Sequence, residues 1–264
     1  MEQLQHPLEF VHKFNLYKLS GLLIEDDDLQ SIARVYGVSL AELAKVDESF
    51  QRNIAELAGR LPSAKNAPAD SPVSILAIGD SITSDRESYV KILNRYWQDD
   101  PTRRILDSAV SGDTTTDLIK RCYSTVLNRD FNWAVLFIGT NDSLQLDDEM
   151  RISVLSLDEY MRNIRFISET LIEKGKTLIQ VTIPPVDNPP LQSYFPDGNY
   201  LYTDKHVGQV NDFIRDWAKA KGYQVADLAR AVREQSADVL EPDGLHLNGR
   251  GQLILSKLLL ELLP

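Results

Sequence analysis

VSILAIGDSIT, residues 73–83, opens as an apolar run of Val73, Ile75, Leu76, Ala77 and Ile78 and closes on Gly79-Asp80-Ser81. A short apolar run bounded by turn residues suits a strand buried on both faces of a parallel sheet. Gly79 permits a sharp turn where the strand stops. Ser81 then stands at the carboxyl end of a central strand, where ligands of open α/β sheets bind. An ordinary strand followed by a polar turn would read the same way, so the rest of the chain has to decide.

Outward from this stretch, strand-like and helix-like segments alternate. Further strands are expected at 104–109, 133–138, 177–183 and 223–228, and helices at about 86–98, 114–127, 157–174, 204–221 and 249–262. This spacing predicts βαβ units, hence an α/β fold with a mainly parallel five-stranded sheet and helices on both faces. Lys174-Gly175-Lys176 and Lys221-Gly222-Tyr223 each read as a helix end leading into a strand. The segment 184–203 holds five prolines and several aromatics. It is long for a plain connection and reads either as a lid or wall of a substrate pocket or as a rigid packed loop.

Residues 1–60 form a separate helical region, and 61–72, LPSAKNAPADSP, with three prolines, read as a linker to a main domain over 73–264. A helix is expected over Leu8 to Leu19. The acidic run Glu25 to Asp28 can start another, because carboxylates favour the positive end of the helix dipole. Leu29, Ile32, Ala33 and Tyr36 share one face, Gly37 stops that helix, and Ser39 caps the next, which carries Leu40, Leu43 and Ala44. This helix-turn-helix shape resembles both DNA-binding helix-turn-helix modules and the peptidoglycan-binding LysM module. Residues 1–70 carry 7 Lys and Arg against 11 Asp and Glu, which opposes phosphate binding. A helical appendage packed on the main domain or on a second subunit is the plainer alternative.

The chain is acidic overall, with a net charge of −11, and has no local basic cluster, so no nucleic-acid partner is expected. No run of 18 apolar residues predicts a membrane span. The first residues lack the pattern of a secretory signal, and the single Cys122 fits a reducing compartment. The expected location is therefore the cytoplasm. The four histidines and one cysteine show no metal-ligand spacing, and no metal or organic cofactor is expected. Cys122, inside an expected helix with no basic partner, reads as an inert thiol.

Four short polar blocks carry the chemistry: Gly79-Asp80-Ser81, Ser111-Gly112-Asp113-Thr114, Gly139-Thr140-Asn141-Asp142 and Asp243-Gly244-Leu245-His246. Three follow strand ends and the fourth precedes the last helix. Together they resemble the blocks of the SGNH hydrolases, also called GDSL esterases and lipases, with Ser81, Gly112, Asn141 and His246 in the naming positions. The resemblance covers about residues 73–264 and leaves the first 70 unexplained. It implies a three-layer α/β/α sandwich with a flavodoxin-like sheet. Ile82 stands where the family name has Leu, which alters an apolar contact and not the chemistry.

A serine hydroxyl is a poor nucleophile at neutral pH and needs a base. His246 is the histidine placed to serve, and Asp243, three residues upstream, can bond one imidazole nitrogen and fix the tautomer. An ester carbonyl becomes an oxyanion in the transition state and needs preorganised donors. The backbone N–H groups of Ser81 and Gly112 and the Asn141 amide are available, and the resemblance implies that these three form the oxyanion hole. Asp80 and Asp142 read as structural hydrogen-bonding residues, with a base or metal-ligand role for Asp80 as the alternative; Asp113 could bond loop backbone.

The expected function is a serine esterase working through an acyl-enzyme on a short acyl group such as acetyl. Its expected partner is a small-molecule, carbohydrate or lipid ester, with self-association possible through the N-terminal region. Acyl transfer or thioester hydrolysis on the same residues, and a non-catalytic flavodoxin-like binding module, are the competing readings.

Overall fold

The computed structural model describes residues 7–20, 22, 24–62, 72–146, 152–235 and 238–264. The expected linker falls largely on residues 63–71, outside the described residues.

The chain begins with α1 (Leu8–Lys13) and a 3₁₀ turn (Leu16–Ser20), so the single helix expected there is broken. Asn15 sits between them at a left-handed φ of 51°, a conformation that Asn tolerates better than most residues. Next come α2 (Leu29–Tyr36) and α3 (Leu40–Gly59). Asp28 caps α2, Gly37 ends it at φ 69°, and Ser39 and Glu42 form a capping box at the start of α3.

Strand β1 (Val73–Gly79) leads into one helical turn, α4 (Ser81–Ser84), and then α5 (Tyr89–Tyr96). The sequence predicts a helix at about 86–98 and no helical turn at 81–84; the observed α5 starts later, at Tyr89, and at Arg86 the N–H bonds the Lys13 carbonyl at 2.8 Å. Strand β2 (Arg103–Asp107) precedes α6 (Thr115–Arg121), which continues as a wider π turn over Cys122–Val126. Strands β3 (Trp133–Phe137) and β4 (Gln145–Leu146), helix α7 (Leu157–Glu173) and strand β5 (Thr177–Val181) follow.

The proline-rich 184–203 stretch contains α8 (Asn188–Tyr194) and β6 (Tyr200–Leu201), which pairs antiparallel with β4. Neither element is predicted by the sequence. Pro189 and Pro190 stand in the first turn of α8, where proline is tolerated because its missing N–H is not needed. The chain ends with α9 (Asp204–Lys221), a short β7 (Gln224–Ala226), α10 (Leu228–Gln235) and α11 (Gly249–Leu262).

The main sheet has the order β2-β1-β3-β5-β7, with every neighbouring pair parallel. Counting only its own strands this is the flavodoxin-like order 2-1-3-4-5, whose switch point lies at the carboxyl end of β1. Alternation along β1 serves both faces: Ile75 and Ala77 join one apolar cluster, Leu76 and Ile78 the other. Helices α5, α10 and α11 contribute to the first cluster, and α6, α7 and α9 to the second, giving three layers. Leu57 and Ala58 of α3 and Leu61 just beyond it also lie in the first cluster, so the end of α3 shares the core of the main body.

Candidate active site

Ser81 is the first residue of α4, directly beyond the sheet's switch point. The turn that places it is tight: a Cβ on Gly79 would meet the Phe137 carbonyl oxygen at 2.3 Å and Thr83 Oγ1 at 2.5 Å. Gly79 is therefore required by the close approach of β3 and α4. Asp80 caps the turn, its Oδ1 accepting the Ile82 N–H at 3.1 Å. The Ser81 N–H, as a first-turn donor, has no partner within the helix and remains available to a ligand.

His246 Nε2 lies 2.9 Å from Ser81 Oγ, and Nδ1 lies 2.6 Å from Asp243 Oδ2. The carboxylate requires a proton on Nδ1, which leaves Nε2 to accept the Ser81 hydroxyl proton. Asp243 Oδ1 accepts the backbone N–H groups of Leu245 (2.9 Å) and His246 (3.0 Å), so one loop fixes both side chains. Burial opposes the charge on Asp243, but the His246 bond and charge and these two N–H donors hold its pKa below the ordinary aspartate value.

Gly112 follows β2 at φ 84°, a left-handed conformation that favours glycine, and is exposed to the cavity above Ser81. Asn141 Nδ2 donates to the Asp113 carbonyl at 2.9 Å, which fixes the amide and leaves its second N–H free to point elsewhere. Asp142 accepts the Thr115 N–H at 3.0 Å, and Asn163 bonds the Thr115 hydroxyl at 3.0 Å. These bonds tie the Gly112 and Asn141 loops together. Asp113 pairs with Arg121 Nε at 2.6 Å.

Ser81, Gly112, Asn141 and His246 thus meet at one cavity of about 330 Å³, with Asp243 behind the histidine. Burial pushes Asp80 up to about 7 and Asp142 up to about 6. Asp80 has no exposed surface; its Oδ1 is used in capping and its Oδ2 is buried without a hydrogen-bond partner, so it presents no open face for a base or ligand role. Among the described residues no group of three His, Cys, Asp or Glu is arranged to hold a metal ion. Cys122 is buried away from this cavity, and burial raises its thiol pKa. No helix among the described residues is long and apolar enough to cross a membrane.

The sequence offers one wall, the 184–203 segment, as one of two readings, and gives no sign of the other. Phe14 stacks on the His246 ring at a centroid distance of 3.9 Å and an interplanar angle of 28°. Phe10, Leu16 and Leu19 line the same cavity, together with Phe195, Tyr200 and Leu245. Phe195 and Tyr200 belong to the proline-rich segment, which accordingly forms a pocket wall. No local signal marks Phe14, because its partner lies in another block far along the chain.

The N-terminal segment is bolted in place. Arg86 donates to Asn15 Oδ1 (2.9 Å), Asp47 Oδ1 (2.9 Å) and the Asp26 carbonyl (2.8 Å). Asn15 donates to the Ser84 carbonyl at 2.6 Å, Lys18 reaches Asp107 at 2.9 Å, and Ser111 Oγ donates to the Phe14 carbonyl. The Lys13 ammonium meets Asp85, Glu87 and Glu241. Burial opposes its charge, but these three carboxyls raise the lysine pKa, while Asp85, fully buried, is itself pushed up to about 7 despite the cation.

A comparison with curated proteins gives no match. Among solved structures, an acetyl xylan esterase, AlAXEase, superimposes with a TM-score of 0.59 at 15% identity over 73% of this chain and 100% of its own. A lipase/acylhydrolase from Enterococcus faecalis gives 0.58 at 23% identity over 72% and 94%. A catalytic mutant of an acetylxylan esterase from Geobacillus stearothermophilus gives 0.60 at 20% identity over 74% and 95%. These likenesses establish the fold. Residues 77–254, which hold all four polar blocks, match the model of one family. The chain belongs to the GDSL-like Lipase/Acylhydrolase family.

Proposed function

We propose that Ser81 is the nucleophile of this ester hydrolase, His246 its general base and acid, and Asp243 the group that orients the histidine. Ser81 Oγ attacks the ester carbonyl carbon while its proton passes to His246 Nε2, 2.9 Å away. The oxyanion accepts hydrogen bonds from the Ser81 and Gly112 N–H groups and the Asn141 amide. His246 returns the proton to the leaving alkoxide, and the acyl group stays on Ser81. Water then attacks with His246 again as base, releasing the acid and restoring the serine. The observation that carries this reading is the continuous relay from Ser81 through His246 to Asp243. Mass spectrometry after treatment with a fluorophosphonate tests it: modification of Ser81, lost in His246→Ala, is expected, and modification elsewhere removes the assignment.

The acyl group in this proposal is short, acetyl being the type. Two of the neighbours sharing the fold are acetylxylan esterases, which supports that preference. Hydrolysis of p-nitrophenyl acetate, butyrate and octanoate tests it, and a preference for octanoate would reverse it. The proposal also retains the cytoplasm as location, tested by cell fractionation, and self-association through the N-terminal region, tested by sedimentation velocity.

A further inference from the structure

We propose that the N-terminal segment from Phe10 to Leu19 is the specificity wall of this site and selects esters whose alcohol part is apolar. The inference rests on the hydrolase reading above and extends it to the leaving group.

The side of the site that receives the alcohol follows from proton transfer. His246 Nε2 must deliver its proton to the leaving oxygen, so the alcohol lies beside the imidazole. The surface packed on that imidazole is the N-terminal segment, with Phe14 stacked on the ring and Phe10 edge-on to it at 6.3 Å. Phe10 continues the wall sideways, 4.9 Å from the Phe14 ring and 6.2 Å from Phe195, and Phe195 lies 6.0 Å from Tyr200. These four rings form a continuous row of contacts, and all line the cavity that holds Ser81.

The lining is mostly apolar. Phe10, Phe14, Leu16, Leu19 and Leu245 bring no side-chain donor or acceptor to the cavity, and among the four rings only Tyr200 carries a hydroxyl. A sugar placed here would leave most of its hydroxyl groups unpaired, which costs binding, whereas a benzyl or branched alkyl group gains by leaving water. The wall is also preformed. Asn15, Lys18 and the Phe14 carbonyl are each bonded to the main body, so substrate binding does not have to order the segment. The family match begins at residue 77, so this wall lies outside the part of the chain that the match covers.

The test holds the acyl group constant and varies the alcohol. Release of acetate is measured from benzyl acetate, 2-methoxyethyl acetate and an acetylated xylose, none of which has an activated leaving group. For the wild type, kcat/KM for benzyl acetate is expected to exceed that for the two polar esters by about tenfold or more. In Leu16→Ala combined with Leu19→Ala the benzyl preference is expected to fall several-fold; Leu19 is largely exposed, so Leu19→Ala alone provides a variant with little risk to folding. A wild-type preference for the acetylated xylose, or a benzyl preference unchanged in both variants, overturns the proposal. If no ester is hydrolysed and a fluorophosphonate fails to label Ser81, the hydrolase reading falls and the proposal with it; labelling of Ser81 with equal turnover of all three esters overturns the wall alone.

Discussion

The ring of Phe14 lies 3.9 Å from the ring of His246, nearly parallel to it, although the two residues come from opposite ends of the chain. The contact restricts the imidazole from one face, while Asp243 and Ser81 hold its two nitrogens. On the proposed mechanism Phe14 acts through His246 as a positioning residue. Phe14→Ala is expected to lower kcat by about tenfold with a smaller change in KM for p-nitrophenyl acetate, since a small misplacement of a catalytic group costs rate. Phe14→Leu should recover part of the loss. An effect confined to KM would show that the ring serves substrate binding only.

The oxyanion donors are testable singly. Asn141→Ala is expected to reduce kcat by about 100- to 1000-fold while KM changes little, the behaviour of a group that acts only in the transition state. Steady-state kinetics with p-nitrophenyl acetate decide the point. A loss below about threefold would remove Asn141 from the oxyanion hole.

Arg86 fastens the N-terminal segment to the main body through three acceptors and is almost wholly buried. Removing one partner from a buried, hydrogen-bonded ion pair strands the other charge. Arg86→Met is therefore expected to destabilise the protein by about 3–5 kcal/mol, read by urea unfolding. Asp47 then keeps only His12 at 3.2 Å and the Gln51 amide at 3.4 Å, both weaker partners. A change below about 1 kcal/mol would mean that the segment is held by its apolar contacts.

Asp80 gives a pH signature in stability. Burial pushes its carboxyl up to about 7 in the folded chain, whereas the unfolded chain ionises near the ordinary aspartate value. Between about pH 4 and pH 7 the unfolded state alone gains by ionising, so this group makes the folded state progressively less stable as pH rises, by on the order of 4 kcal/mol across the window. Asp80→Asn has no proton to lose, and its Oδ1 can still accept the Ile82 N–H. Its stability relative to wild type should therefore rise from pH 4 to pH 7, as measured by thermal unfolding at several pH values. A constant difference across that range would place the Asp80 pKa at its ordinary value.

The sheet was legible because β1, β3 and β5 are short, largely apolar runs, the first two ended by glycine-containing polar blocks and the third by prolines, and the helices α7, α9 and α11 are long and periodic. The polar blocks were legible for the same reason: each sits where a strand or loop must end. The short α4 turn and the late start of α5 at Tyr89 were not, because the Arg86 N–H goes to the distant Lys13 carbonyl. Nor was α8, since Pro189 and Pro190 act as breakers inside a helix but not in its first turn. The wall was hidden more deeply. Phe14 and Phe10 look like one apolar face of a short amphipathic helix, and only the tertiary anchors at Asn15, Lys18 and Arg86 turn that face toward His246.

The central claim is that Ser81 carries the acyl group, and the most direct measurement is hydrolysis of p-nitrophenyl acetate by the wild type and by Ser81→Ala, with folding checked by circular dichroism. Turnover by the wild type and its loss to background in a folded Ser81→Ala variant is the predicted result. Undiminished turnover in that variant would contradict the account.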